Sequence, residues 1–381
     1  PMTAKVTARL ARNAIVLAAA ATLAWQLGGC GKRTDTTGSE APETGPAYRD
    51  EIIYTSGGAL FRCDLESHPV QRLARSGGSD WFPAASPDFR SVAFWSDVSG
   101  FYELWLMDVE TEKRRQLTFF NDDEFRVELR NFNVHNAPTW SPDGNRIAFS
   151  RNGTLWAVGK NGYNLETLVS RGFHFSPAWS PDGLHLAYVT EEQERRNLRI
   201  RKIGTDAEWI LTRFPATQRV GGPVWSPDGK RLAFSVASHD AVDIWSIQSD
   251  GTGLTRLTHD QTSNAPAWSP DGDLIAFSSG RLNPYQWDIW IMRGDGSAQV
   301  AVTHSGGVSP TWIRVPLEPS VAPAEPQAEA RPAAEVEATP RPETKPGPEP
   351  KPGREAAAQA EREAAAQAER EAAAQAEREA A

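Results

Sequence analysis

Asp80, His135 and His174 each stand three residues before a proline that opens a repeated stretch of this chain, at Pro83, Pro138 and Pro177. One residue further on come Trp81, Asn136 and Phe175, and Asn264 holds that same place before Pro266. A carboxylate with two imidazoles is a donor set that a zinc-like ion accepts, and aromatics beside two of them, Trp81 and Phe175, are what a binding mouth uses. The repeat spreads them over separate units, so the reading is a polar mouth that binds a partner, with no metal and no cofactor expected. A second carboxylate series, Asp88, Asp143, Asp182, Asp228 and Asp271, sits inside Ser-Pro-Asp-Gly or its worn form. Those are turn residues rather than an acid/base pair. The chain has no Gly-x-Ser-x-Gly elbow, no His-Glu-x-x-His, no Cys-x-x-Cys and no phosphate loop, so no catalytic residue is expected.

The elements that carry these residues follow from Pro266-Ala267-Trp268-Ser269-Pro270-Asp271-Gly272 and its return, Leu274 to Ser278. Serine at i, proline pre-setting φ at i+1 and glycine free to take positive φ describe a tight turn between two β-rich runs. Copies open at Pro138, Pro177 and Pro223, a worn one at Pro83, where Phe89 replaces the glycine, and a half-copy at Pro310. The phenylalanine predicts a rebuilt turn, since a left-handed conformation costs it about 1–2 kcal/mol. A spacing of roughly 40 to 55 residues is that of propeller blades. Glu51 to Thr55, Leu60 to Leu65 and Val70 to Leu73 make three strands with no opening copy, and Ser309 to Ile313 is an opening strand with nothing after it. The expected fold is all-β, a six-bladed β-propeller in which the C-terminal strand completes the N-terminal blade and leaves no open edge between the two.

Trp140, Trp179, Trp225, Trp268 and Trp312 recur once per blade and are expected to pack between sheets, as are Trp105, Trp156, Trp245 and Trp290. Cys63 lies in an alternating strand and reads as a small buried hydrophobe. The expected loop-rich face gathers Asp97 to Glu103, Phe119 to Asn136, Glu191 to Asn197 and Ser279 to Trp287, and long connections on a rigid scaffold are where binding resides.

Outside residues 50–315 the composition changes. Residues 1–29 read as a signal peptide, with Lys5, Arg9 and Arg12 ahead of an apolar run too short to span a bilayer. Leu27-Gly28-Gly29-Cys30 resembles the bacterial lipobox, which implies a lipid on Cys30 and, because Gly31 follows, the outer membrane facing the periplasm. Residues 30–49 read as a flexible tether, 316–353 as a Pro/Ala/Glu-rich linker and 354–381 as an Arg-Glu-Ala-Ala-Ala-Gln-Ala-Glu octad repeat of high helix propensity. The formal charge of −9 becomes −12 once the three basic residues of the leader are removed, which argues against nucleic acid as a partner.

The Pro-x-Trp-Ser-Pro-Asp-Gly-x-x-Ile-Ala-Phe pattern resembles the propeller repeat of the TolB family over about residues 50 to 313. The resemblance implies a binding scaffold of the cell envelope whose partner is an envelope protein or peptide, such as a peptidoglycan-associated lipoprotein. The resemblance extends to the family's propeller and not to its N-terminal α/β domain. Two other readings share the repeat: a metal-dependent polysaccharide lyase of the oligogalacturonate-lyase type, and a cell-wall or carbohydrate-binding module.

Overall fold

The computed structural model describes residues 48–65, 70–73, 77–120, 136–283 and 285–317. The signal segment with Cys30, most of the tether, His135, nearly all of the linker and the octad repeat lie outside the described residues. Among the described residues every regular element is a strand, and the strands form six four-stranded sheets.

Blade one takes β1 (Tyr48–Ser56), β2 (Ala59–Asp64) and β3 (Val70–Arg72). Blade two is β4 (Asp80–Ala85), β5 (Ser91–Ser96), β6 (Glu103–Asp108) and β7 (Arg114–Gln116). Blade three is β8 (Thr139–Trp140), β9 (Arg146–Arg151), β10 (Thr154–Gly159) and β11 (Glu166–Val169). Blade four is β12 (Phe173–Trp179), β13 (His185–Glu192), β14 (Arg195–Lys202) and β15 (Glu208–Ile210). Blade five is β16 (Arg219–Trp225), β17 (Arg231–Ser238), β18 (Ala241–Gln248) and β19 (Thr255–Arg256). Blade six is β20 (Ser263–Trp268), β21 (Leu274–Ser279), β22 (Asp288–Arg293) and β23 (Val300–Ala301). The last strand, β24 (Val308–Pro316), returns to blade one and pairs antiparallel with β1, Tyr48 opposite Pro316 and Ile52 opposite Trp312. The closure expected from the sequence is therefore present, with β1 starting two residues earlier than the expected domain boundary.

Six buried clusters each join one blade to the next. Ile53, Leu60 and Ile313 of blade one meet Val92, Phe94 and Met107 of blade two, and on the other side Ile52, Tyr54 and Trp312 meet Ala276, Ile289 and Ile291 of blade six. An unclosed blade would leave both of these apolar faces in water, at about 25 cal/mol for each Å² exposed. Cys63 is buried in the second of these clusters, and burial pushes its thiol up to about 12, as expected of a packing residue.

The repeated turn is built from its own side chains. Ser269 Oγ donates to Asp271 Oδ1 at 2.5 Å, the Asp273 N–H donates to the same oxygen, and the Leu274 N–H donates to Ser269 Oγ. Blades two to five repeat this set. Phe89 keeps the turn rather than rebuilding it: its φ is 59° and its N–H donates to the Ser86 carbonyl at 2.9 Å. Its ring packs against the cluster shared by blades one and two, which offsets the left-handed strain. The connection expected to be long at Glu191 to Asn197 is a two-residue turn, Gln193-Glu194, both at positive φ as a type I′ hairpin requires.

Candidate functional site: the axial funnel

The innermost strands ring the axis, and each carries or directly follows a proline facing it: Pro83, Pro138 (just before β8), Pro177, Pro223, Pro266 and Pro310. A residue without an N–H is what an unpaired edge tolerates. Directly before most of these prolines the strand bulges. Phe82, Ser176, Ala265 and Ser309 have φ between 48° and 55°, Gly222 has 55°, and in blades two, four, five and six one extra residue on the inner strand opposes its neighbour.

The bulge decides which side chains reach the axis. Residues three before the proline are turned onto the face of their own blade. Asp80, 1% exposed, is paired with Arg114 (Oδ2 to Nη1, 2.7 Å), whose guanidinium lies over the Phe94 ring. His174, 5% exposed, stands edge-on to Tyr188 with Nε2 on the Arg171 carbonyl oxygen at 2.6 Å, and burial holds its imidazole below the usual histidine range. Phe175 is buried beneath Arg196 and Trp81 packs in the cluster between blades two and three. Asn136 bridges blades three and four, accepting from Ser150 and Ser176 at 3.1 and 3.2 Å, and Asn264 accepts from Ser235 of blade five at 2.5 Å. Asn136 and Asn264 thus fasten neighbouring blades together at the loop end of the axis, whereas Asp80 and His174 bond within their own blades. Among the described residues no three His, Cys, Asp or Glu side chains converge as a metal site needs.

The open cavity lies toward the opposite face, that of the Ser-Pro-Asp-Gly turns. Its volume is about 430 Å³, within the range of ligand sites. Beyond the proline ring the walls are Ala84, Thr139, Ala178, Val224, Ala267 and Thr311, and the mouth is formed by exposed Pro87, Pro142, Pro181 and Pro227 with half-buried Pro270. No side chain of these is long enough to fill the axis. Outside the prolines stand the turn carboxylates. The serine hydroxyl and a backbone N–H on each hold Asp88, Asp143, Asp182 and Asp228 below the usual carboxylate range. The funnel is thus apolar inside with an ionised rim.

The tryptophans that follow the wall residues tie the ring together in two ways. Trp140, Trp225 and Trp312 donate Nε1 to the carbonyls of Ala84, Ala178 and Ala267 in the preceding blade, at 3.0, 3.0 and 2.9 Å. The Nε1 groups of Trp179 and Trp268 are buried with no acceptor among the described residues, and each ring instead lies under an arginine of the preceding blade, Arg146 and Arg231. The sequence marks this difference at the first residue of the second strand, which is arginine in blades three and five.

Fold and funnel together define a six-bladed β-propeller scaffold closed by a single C-terminal strand. Its repeat is TolB-like: residues 152–316 match the model of the TolB beta propeller domain family. The structure is similar to TolB from Acinetobacter baumannii (TM-score 0.58, 18% identity, covering 70% of this chain and 66% of that one). It is also similar to a putative TolB from Agrobacterium tumefaciens (TM-score 0.54, 18% identity, 71% of this chain and 99% of that one). In sequence, an uncharacterized protein of Agrobacterium fabrum, Atu1656, is 31% identical over 133 residues, which covers 32% of this chain and 44% of that protein. The match thus spans less than half the length of that curated relative.

Proposed function

We propose that this chain is a non-catalytic binding scaffold of the bacterial cell envelope, anchored by a lipid on Cys30, and that its axial funnel receives an extended segment of an envelope protein or peptide. The observation that carries the reading is the funnel itself: an open cavity of about 430 Å³ with apolar walls contributed by all six blades and a rim of ionised carboxylates. A rigid apolar site with a few placed polar groups gains affinity without paying to order itself. The TolB-like repeat and the lipobox-like Leu27 to Cys30 support the envelope setting, and a peptidoglycan-associated lipoprotein is the partner class the resemblance suggests. A mouth at the loop face around Asp80, Trp81, His135, Asn136, His174, Phe175 and Asn264 is the competing location.

Photo-crosslinking in intact cells separates the two. A crosslinker placed at Thr311 in the funnel is expected to capture an envelope protein, and Ala267→Phe, which narrows the funnel, to abolish that capture. Adducts formed from Asp97 on the loop face and none from Thr311 would overturn the location. The anchor is read separately: Cys30→Ser is expected to lose the acyl mass and membrane fractionation, and an unsubstituted protein without acyl mass would remove it. Formation of unsaturated product from polygalacturonate with manganese would refute the non-catalytic reading.

A further inference from the structure

At two junctions of the ring the chain supplies its own cation to a tryptophan. Arg146, the first residue of β9, places its guanidinium carbon 4.9 Å from the ring centroid of Trp179 in blade four. Arg231, the first residue of β17, lies 4.7 Å from the ring centroid of Trp268 in blade six, and its Nη1 donates to the Gly294 carbonyl at 3.0 Å. Guanidinium over indole is the favoured cation–π pair.

The junction between blades four and five has no such arginine, and its tryptophan, Trp225, differs in donating Nε1 to the Ala178 carbonyl while leaving a ring face toward the rim. The equivalent residue is His185, fixed like Arg146 and Arg231 by its N–H on the motif serine at 2.9 Å. Its ring is turned aside, edge-on to Trp209 with centroids 5.7 Å apart. What remains over Trp225 is a groove of about 480 Å³ bounded by Asp182, Asp228, Trp209, His185 and Ser249. Ser249 holds the place of Gly294, each N–H bonded to the carbonyl just before the second strand of its blade. No lysine or arginine lines the groove itself; at its edge Lys230 Nζ lies 4.0 Å from Asp228 Oδ2, and His185 Nδ1 lies 3.7 Å from Asp182 Oδ2. The turn serines hold the carboxyls of Asp182 and Asp228 below the usual carboxylate range, and Trp209 is 42% exposed on the outer strand β15.

We propose that this groove is a docking site for an arginine side chain carried by a partner polypeptide. The guanidinium would lie over Trp225 as Arg146 and Arg231 lie over their tryptophans, between two carboxylates that accept its N–H groups, with Trp209 closing the outer side. Two carboxylates repel acidic glycans and acidic peptides, and the planar cation matches indole faces better than an ammonium does. The site adjoins the funnel, sharing Ser180, Pro181, Trp225 and Pro227 with it, yet stands on its own residues and does not depend on what fills the axis.

The test uses a blocked Gly-Arg-Gly tripeptide and its citrulline counterpart, which keeps the shape and removes the charge. Indole N–H resonances of the folded chain are followed by NMR during titration. Trp209 and Trp225 are expected to shift saturably, with the arginine peptide bound at least about tenfold tighter than the citrulline one. His185→Arg supplies the cation in cis and is expected to abolish peptide binding while the fold holds. Asp228→Asn and Trp209→Ala should each weaken it several-fold, and Ala267→Phe in the funnel should leave it unchanged. Equal binding of citrulline, undiminished binding by His185→Arg or by Trp209→Ala, or saturable shifts with cellotriose in place of the arginine peptide would each overturn the assignment.

Discussion

Replacing each of the five ring tryptophans by phenylalanine measures the two kinds of blade junction against each other. All five substitutions lose the second ring of an indole packed between blades, a common cost of about 1–2 kcal/mol from apolar area. In Trp140→Phe, Trp225→Phe and Trp312→Phe an indole hydrogen bond of 2.9–3.0 Å also disappears, and a carbonyl of the preceding blade is left without its partner. That adds about 1–2 kcal/mol, the net worth of the bond plus part of the cost of an unpaired buried group. Trp179→Phe and Trp268→Phe break no hydrogen bond; they remove an N–H that has no acceptor among the described residues, and the arginine above stacks on the smaller ring at a loss of about 0.5 kcal/mol. The first three variants should therefore be less stable than the other two by about 1 kcal/mol, or roughly 2–4 °C in melting temperature for a domain of this size. Urea unfolding followed by circular dichroism is the suitable assay, because the substitutions alter the fluorescence itself. Five midpoints agreeing within about 0.3 kcal/mol at constant slope would refute the reasoning.

Deleting the chain from Ser309 should abolish cooperative unfolding by removing β24 and its pairing with β1, whereas ending it after Glu318 should leave the melting temperature nearly unchanged; two truncations of equal stability would count against the closure. Acid should act in two windows. His174 has a folded pKa below its unfolded value near 6.5, so the stability it contributes is present above that pH and is lost as pH falls from 6.5 toward the folded value; His174→Gln should flatten that limb of a melting-temperature profile. Asp88, Asp143, Asp182 and Asp228 have folded pKa values below 3.8, so their contribution is present above about pH 4 and is lost below it, and asparagine at all four should remove that second limb. Phe89→Gly should change stability by less than about 0.5 kcal/mol, since relief of left-handed strain offsets the lost ring, while Gly272→Ala at φ 81° should cost about 1 kcal/mol; a large loss in the first or none in the second would contradict that balance.

The architecture was legible because each blade declares itself: the Ser-Pro-Asp-Gly turn specifies a hairpin from its own side chains, and a lone Pro310-Thr311-Trp312 strand matches a first blade that lacks one. The way side chains are distributed near the axis has a specific cause. Counting back from the prolines assumes a regular strand, and the extra residue at Phe82, Ser176 and Ala265 changes which side chains face inward. Only Gly222 among the pre-proline residues of the bulges is a type that advertises positive φ. Asp80 and His174 were consequently expected at the mouth and are found on the faces of their own blades. The groove over Trp225 had a readable signal, since Arg146, His185 and Arg231 align once the serines are superposed. Its meaning required seeing where two of those side chains lie.

The pairing of β1 with β24 has a mechanical consequence. Both chain continuations leave the propeller from the same end of one antiparallel pair, at Tyr48 and Pro316. A pull applied between them loads the Tyr48 and Pro316 rung first and alone, then Arg49 and Val315, then the Asp50 and Arg314 rung with its ion pair at 2.7 Å. The seam opens like a zipper, one rung bearing the whole load at a time, instead of sharing it along the strand as a sheared pair would. A ring that gains cooperativity against heat and urea from its closure is thus, under tension between its ends, weakest at that same closure, and force transmitted through the two flanking segments would convert blade one from four strands to three before any other blade yields.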